Sequence, residues 1–274
     1  MQLSGRVCLI AGASGVIGQA VAREFLQQGA RLALTYHSNL PAEFASWKKR
    51  EPGRVLTLHF DIRNRLQMKL ATAEVIRQFG SLNALVNCTG VLGPVGPTAE
   101  VSEDDWATAV EINLLGSFFL TRAVLPHMLE HRGGKIIHFS GGGAAYARPF
   151  YTAYSASKAA LVRFVESLAE ELRPSQIEVN AIAPGQVESR MWDQIRQVRE
   201  PDARTVEELK SMEETGGVPP ERAAALAVFL ASDRSNGLTG RLISAVHDDW
   251  AALGSRIEEV MHSEAGTLRR VPLG

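Results

Sequence analysis

The chain has 274 residues, 45% of them hydrophobic and 22% charged, with a formal net charge of −1. That is ordinary globular composition, long enough for a sizeable core. It offers no basic excess for nucleic acid and no acidic solvating arm.

The first residues, Met1-Gln2-Leu3-Ser4-Gly5, show no charged segment leading into an apolar one, so no signal peptide is expected. Val7-Cys8-Leu9-Ile10-Ala11 reads as a buried strand by run length and composition. A glycine-rich turn follows, then a helix over about 16–28, with Gly29 placed to end it. Further strands are expected over 32–36, 55–60, 82–87, 135–140, 177–182 and 242–246. Between them helices are expected over about 66–79, 103–131 (bent before Pro126), 150–172 and 220–232. No apolar run is read as long enough to span a membrane, the longest candidate being 223–231, so a cytoplasmic protein is expected. Cys8 and Cys88 lie in apolar runs and read as reduced core thiols; no Cys/His cluster points to a metal.

Strands alternating with helices imply crossover connections and a parallel sheet covered on both faces, hence an α/β, doubly wound, single domain of about seven strands over 1–274. Residues 190–217 break the rhythm. They are polar and weakly helical, and read either as a surface insertion or as a lid over a site. Residues 247–274 form an extension, helical over about 251–262, for which a contact with a neighbouring subunit stays open.

Three patterns carry chemistry. Gly12, Gly15 and Gly18 recur every third residue between the first strand and first helix, the arrangement of a phosphate cradle: free amides and the helix dipole favour an anion. Ser14 and Ile17 belong to the same turn. The second strand ends in Tyr36-His37-Ser38-Asn39 without an acid, so nothing there repels a 2′-phosphate, and His37 and Ser38 can donate to one. NADP(H) is favoured and NAD(H) stays open; an exposed loop histidine is an equal reading of His37. Third, Tyr154 and Lys158 stand at i and i+4 on one helix face, where an ammonium favours phenolate and so lowers a tyrosine pKa.

With these landmarks, and with Asp61-Ile62, Asn87-Cys88-Thr89-Gly90, Asn113 and Pro184-Gly185 in order, the chain resembles the short-chain dehydrogenase/reductase family over nearly its whole length, in particular its 3-oxoacyl-reductase-like members. The resemblance implies a Rossmann-type sheet and hydride transfer between a nicotinamide and a small-molecule alcohol/ketone pair. It implies that Asp61 and Ile62 meet the adenine, that Asn87, Cys88, Thr89 and Gly90 line the cofactor, and that Pro184, Gly185, Val187 and Ser189 border the nicotinamide. It makes Tyr154 the general acid/base, has Lys158 bind the nicotinamide ribose and lower the tyrosine pKa, and gives Asn113 a water in a proton relay. It also implies a homotetramer, or else a dimer.

The sequence departs from the family in three places. Val16 stands where a second glycine is commoner, and Asn-Cys-Thr-Gly replaces Asn-Asn-Ala-Gly. The family serine thirteen residues before the tyrosine is Gly141 here. Ser140 is one residue early, and a one-residue shift on a strand turns a side chain to the other face. A backbone N–H of Gly142 or Gly143 is a candidate replacement. The rival to an enzyme is a cofactor-binding regulator with weak or no turnover.

Overall fold

The computed structural model describes residues 1–198, 201–271 and 273. Residues 199 and 200 of the expected lid, and 272 and 274 of the expected extension, lie outside them. Strand β1 (Val7–Ala11) is buried along its whole length. A strand covered on both faces has no polar side to alternate with, so its sequence is a continuous apolar run. It joins β2 (Arg31–Tyr36), β3 (Val55–His59), β4 (Ala84–Asn87), β5 (Gly134–Phe139), β6 (Ile177–Ala183) and β7 (Leu242–Ser244). The sheet runs β3-β2-β1-β4-β5-β6-β7, and every pairing is parallel. The doubly wound parallel sheet expected from the sequence is the sheet found. It reverses direction between β1 and β4, and that switch point opens a crevice at the C-terminal strand ends.

The helices are α1 (Val16–Gln27), α2 (Ala42–Arg50), α3 (Arg65–Phe79), α4 (Glu103–Val110), α5 (Gly116–Glu130), α6 (Thr152–Leu172), α7 (Arg190–Arg196), α8 (Ala203–Thr215), α9 (Pro220–Ala231) and α10 (Ile257–Met261). Alternate strand residues face opposite ways. Cys8 and Ile10 pack with α1 and α9 on one face; Val7 and Leu9 pack with α3, α5 and α6 on the other. Side chains cap three of the helices: Asn64 accepts from Leu66 and Gln67 amides, Ser102 from Asp105, and Asp202 from Thr205. Helix α1 differs. Its N-cap is Gly15, with no capping side chain and no acid in the first turn, so its first amides stay open toward the crevice.

Several elements differ from the sequence reading. Helix α2 was not expected; it buries Phe44 and Trp47, three residues apart, against the α1 side of the core. The helix over 103–131 runs to Glu130, and its irregularity is a π turn at Glu111–Leu115, while Pro126 lies inside α5. Contrary to the expectation, Glu103–Glu130 is long and apolar enough to cross a membrane, with an 18-residue window of mean hydropathy 1.3. Here Leu120, Val124 and Met128 pack that stretch onto the sheet. The segment 190–217 is more helical than its polarity suggested, because Trp192, Ile195 and Met212 give α7 and α8 a buried side. The tail is less helical: only Ile257–Met261 forms an α-helix within 251–262. The chain then returns to its own sheet and α6, with the Leu242 amide bonded to Gly266 O at 2.7 Å and the Leu268 amide to Glu166 Oε1 at 2.6 Å.

Candidate active site

The cradle is fixed by backbone packing. Gly12 sits at φ +67°, and a Cβ there would lie 2.9 Å from Thr89 N and from Thr89 Oγ1. Only glycine tolerates both the conformation and the approach. Its amide donates to Thr35 Oγ1 at 3.1 Å, tying the turn to β2. A Cβ on Gly18 would overlap the Gly12 carbonyl oxygen, so Gly18 packs the helix against the turn. Gly15 closes the turn through its amide to Gly12 O at 3.1 Å. Ser14 lies in this turn, and Ile17 packs on the core beneath it.

The other expected cofactor residues lie along the same edge. His37 and Ser38 are exposed at the end of β2, with His37 Nδ1 3.3 Å from Ser38 Oγ. His37 Nε2 is 3.6 Å from Asp61 Oδ2. Arg63, which the sequence reading did not single out, grips both oxygens of Asp61, the shortest bond being 2.6 Å. That hydrogen bonding holds the Asp61 carboxyl down at about 2. Ile62 is buried against Gly116. Asn87 donates to Ser117 Oγ at 2.9 Å and accepts from the Thr89 amide at 3.1 Å. The Cys88 amide bonds to Ala11 O at 2.9 Å, joining β4 to the cradle. Across the crevice, Pro184 and Gly185 follow β6, Val187 is buried, and Ser189 begins α7.

Tyr154, Lys158 and Asn113 meet at the centre. A Cβ on Gly90 would lie 3.1 Å from Lys158 Nζ and 3.5 Å from Asn113 Oδ1. The π turn brings Asn113 inward, where it is fully buried. Its side chain clamps the loop after β4: Oδ1 accepts from the Val91 amide and Nδ2 donates to Val91 O, both at 2.9 Å, and Nδ2 also reaches Ser157 Oγ at 3.0 Å. Both Nδ2 hydrogens are therefore engaged. Its backbone oxygen accepts from Ser117 Oγ at 2.7 Å. The side chain thus anchors the loop after β4.

Lys158 Nζ lies 5.9 Å from the Tyr154 ring centroid and donates to Phe139 O at 2.8 Å. Burial pulls the Lys158 ammonium down to about 8 and pushes the Tyr154 phenol up to about 12. The lowering of the tyrosine expected from helix spacing is absent in this geometry, because the ammonium is turned toward the end of β5. Ser140 is buried and donates to Lys158 O at 3.3 Å, so its hydroxyl is used behind α6. The place of a side chain at Gly141 is taken by the Tyr154 hydroxyl, which a Cβ would overlap. Gly142 to Ala144 form a 3₁₀ turn whose bonds run from the Ala144 amide to Gly141 O and from the Ala145 amide to Gly142 O, so it does not use the Gly142 and Gly143 amides.

Over this centre lies an apolar cluster of Leu92, Tyr151, Trp192, Ile195 and Met212, with Phe150 and Tyr154 at its rim. Phe150 holds φ +69°, an uncommon conformation for a bulky residue. Helix α8 is latched to the loop after β5 by Arg148 and Glu208, 2.5 Å apart and nearly buried. Arg204 pairs with the same carboxylate at 3.3 Å. These residues are some sixty positions apart, and no local pattern links them. A cavity of about 610 Å³ opens at the opposite end of the sheet, but its Lys135 is paired with Glu178 at 2.9 Å and its Arg6 with Asp233.

Comparison with known proteins decides the family. A family profile described as "Enoyl-(Acyl carrier protein) reductase" matches residues 11–245. The chain belongs to the short-chain dehydrogenase/reductase family. It is 33% identical over 245 residues to the 3-oxoacyl-[acyl-carrier-protein] reductase FabG of Thermotoga maritima, covering 89% of this chain and 97% of that one. It is 36% identical over 243 residues to the oxidoreductase UcpA of Salmonella typhimurium, covering 87% and 92%. Among solved structures, levodione reductase superposes with a TM-score of 0.81 at 26% identity, covering 91% of this chain and 99% of that one. A single-residue variant of actinorhodin polyketide ketoreductase, solved with NADPH, superposes at 0.78 and 27%, covering 88% and 97%. Membership makes the chain a nicotinamide-dependent oxidoreductase by family.

Proposed function

We propose that the protein interconverts an alcohol and a ketone with NADP(H), Tyr154 donating the proton in reduction and accepting it in oxidation. The observation that carries the reading is Lys158 beside Gly90, next to the glycine cradle at the switch point of the sheet, with the Tyr154 ring 5.9 Å from the Lys158 Nζ. The cradle fits a dinucleotide: Gly12 has no room for a side chain, and α1 presents uncapped amides. Gly12, Ser14, Gly15, Ile17 and Gly18 would hold the pyrophosphate, Asp61 and Ile62 the adenine, and Asn87, Cys88, Thr89, Gly90 and Lys158 the nicotinamide ribose. Pro184, Gly185, Val187 and Ser189 would border the ring.

A bound nicotinamide supplies the hydride in reduction and accepts it in oxidation. The chain's own task is the proton. A phenol raised to about 12 keeps its proton through neutral pH and can deliver it as charge develops on a carbonyl oxygen. Lys158, cationic below about 8, is turned toward Phe139 O and Gly90, where it would meet the nicotinamide ribose and not the phenolate. Asn113 holds the loop that positions Gly90. NADP(H) is favoured because no acid ends β2 and Arg63 neutralises Asp61 beside His37. The ketoreductase of similar fold solved with NADPH agrees with that preference. Leu115, Phe118 and Leu129 are exposed on one long helix and support assembly into a homo-oligomer through that face.

The test is consumption of NADPH and NADH with acetoacetyl-CoA, cyclohexanone and 2-octanone. Turnover with NADPH ahead of NADH is expected. Tight NADPH binding without turnover of any ketone would replace this reading with the cofactor-binding regulator, which the loss of a serine at Gly141 favours.

A further inference from the structure

The glycines after β5 are occupied by two phenols. A Cβ on Gly141 would overlap the Tyr154 hydroxyl, and a Cβ on Gly142 would overlap the Tyr146 hydroxyl. Consecutive glycines thus bring two tyrosine oxygens onto one short stretch of backbone, where the family ordinarily has one tyrosine and one serine. Tyr146 adds to the rise of the Tyr154 pKa, which places the two within electrostatic reach of each other.

The position of Tyr146 is set from the lid. The Arg204 guanidinium lies 3.5 Å from the Tyr146 ring centroid, a cation–π contact. Arg204 also pairs with Glu208, and Glu208 holds Arg148, two residues beyond Tyr146 on the same loop. The ring is therefore clamped between Gly142 and α8. The competing hydroxyl is Ser155 Oγ, buried and without a partner among the described residues. It faces Gly143, the glycine beyond these two, and not Gly141 or Gly142.

We propose that the Tyr146 hydroxyl takes the part of the missing serine, donating a hydrogen bond to the substrate carbonyl oxygen while Tyr154 transfers the proton, and that the docked lid, through Arg204, holds it in place. The inference rests on the ketone reading above. The balance of the reaction is unchanged: hydride goes from NADPH to the carbonyl carbon, the Tyr154 proton goes to the oxygen, and Tyr146 keeps its own proton. Arg204 is a positioning residue, acting through the ring it covers.

The experiment measures NADPH oxidation with acetoacetyl-CoA for wild type, Tyr146→Phe, Arg204→Ala, and Tyr146→Phe combined with Gly141→Ser, with NADPH affinity and melting temperature recorded for each. Losing one donor to a developing oxyanion typically lowers kcat about 10²-fold or more, and that is expected for Tyr146→Phe at unchanged NADPH affinity. Arg204→Ala is expected to show a smaller loss in kcat. Adding Gly141→Ser is expected to lower kcat further, because its Cβ displaces the Tyr154 hydroxyl. Wild-type kcat in Tyr146→Phe, or a loss confined to KM, overturns the proposal while leaving the ketone reading standing. A wild-type enzyme that turns over no ketone overturns both.

Discussion

The two sides of the crevice are built in different ways. At the glycine cradle, Gly12 is fixed by backbone against Thr89 N and Gly18 against the Gly12 carbonyl. Across the crevice, Gly141 and Gly142 are filled by the ends of tyrosine side chains, and the Arg148–Glu208 pair ties α8 to the loop after β5 across sixty residues of chain. A site lined by backbone cannot change without losing the fold that supports it. One lined by side-chain ends can be refilled.

The contrast is sharpest in how each side responds to an added side chain. Gly18→Val forces atoms into the Gly12 carbonyl, which has no flexible end to give way. We expect a loss at or above the top of the about 1–3 kcal/mol range for overpacking, together with loss of NADPH binding, read by urea denaturation and fluorescence titration. Gly141→Ser meets only the end of Tyr154 and is expected to leave the melting temperature near wild type. If both substitutions cost the same stability, the contrast fails.

Next in size is the latch. Glu208→Gln removes the charge shared by Arg148 and Arg204 and leaves Arg148 nearly buried without a counter-ion. Breaking a fully buried pair costs about 3–5 kcal/mol and an exposed one under about 1. This pair is about one-tenth exposed, so we expect about 1–3 kcal/mol, felt as loosening of α8. Hydrogen exchange should quicken over 203–215 while the β1–α1 region keeps its protection. Uniform loss of protection would show that the lid is part of the global core.

The pH dependence separates the two sides more finely. His138, buried behind Asn87 and Thr121, is held down to about 3 by burial. The unfolded chain takes up that proton near 6.5 and the folded chain does not. The stability this residue contributes is therefore complete above 6.5 and is lost as pH falls from there toward about 3. Asp61, held at about 2 by Arg63, contributes stability that is complete above its unfolded pKa and lost as pH falls through about 2. Urea midpoints between pH 7 and pH 4 should decline in wild type and decline less in His138→Gln. In the other direction, Lys158 loses its charge above about 8, so NADPH affinity should weaken there. A binding constant flat from pH 7 to 9 would remove Lys158 from the cofactor contact.

The same division explains what the sequence showed. The strands, the cradle and the central tyrosine and lysine follow from local spacing and apolar run length, because each is written within a few residues. Helix α2 escaped notice because its buried side is only Phe44 and Trp47 amid charge. The π turn at Asn113 has no local breaker to mark it, while Pro126, which looked like one, sits within α5. The latch and the Tyr146 position depend on which distant segments dock, which no spacing encodes. The displacement of Ser140 from the site was legible, since a strand fixes its facing by residue count.

The central claim is that Tyr154 supplies the proton beside a bound nicotinamide. It is tested most directly by comparing Tyr154→Phe with wild type for NADPH oxidation by acetoacetyl-CoA, with NADPH affinity measured on both. Removing a positioned general acid typically costs about 10²–10⁴ in rate. The account predicts a kcat loss in that range with NADPH binding retained. Tyr154→Phe turning over at the wild-type rate would contradict it.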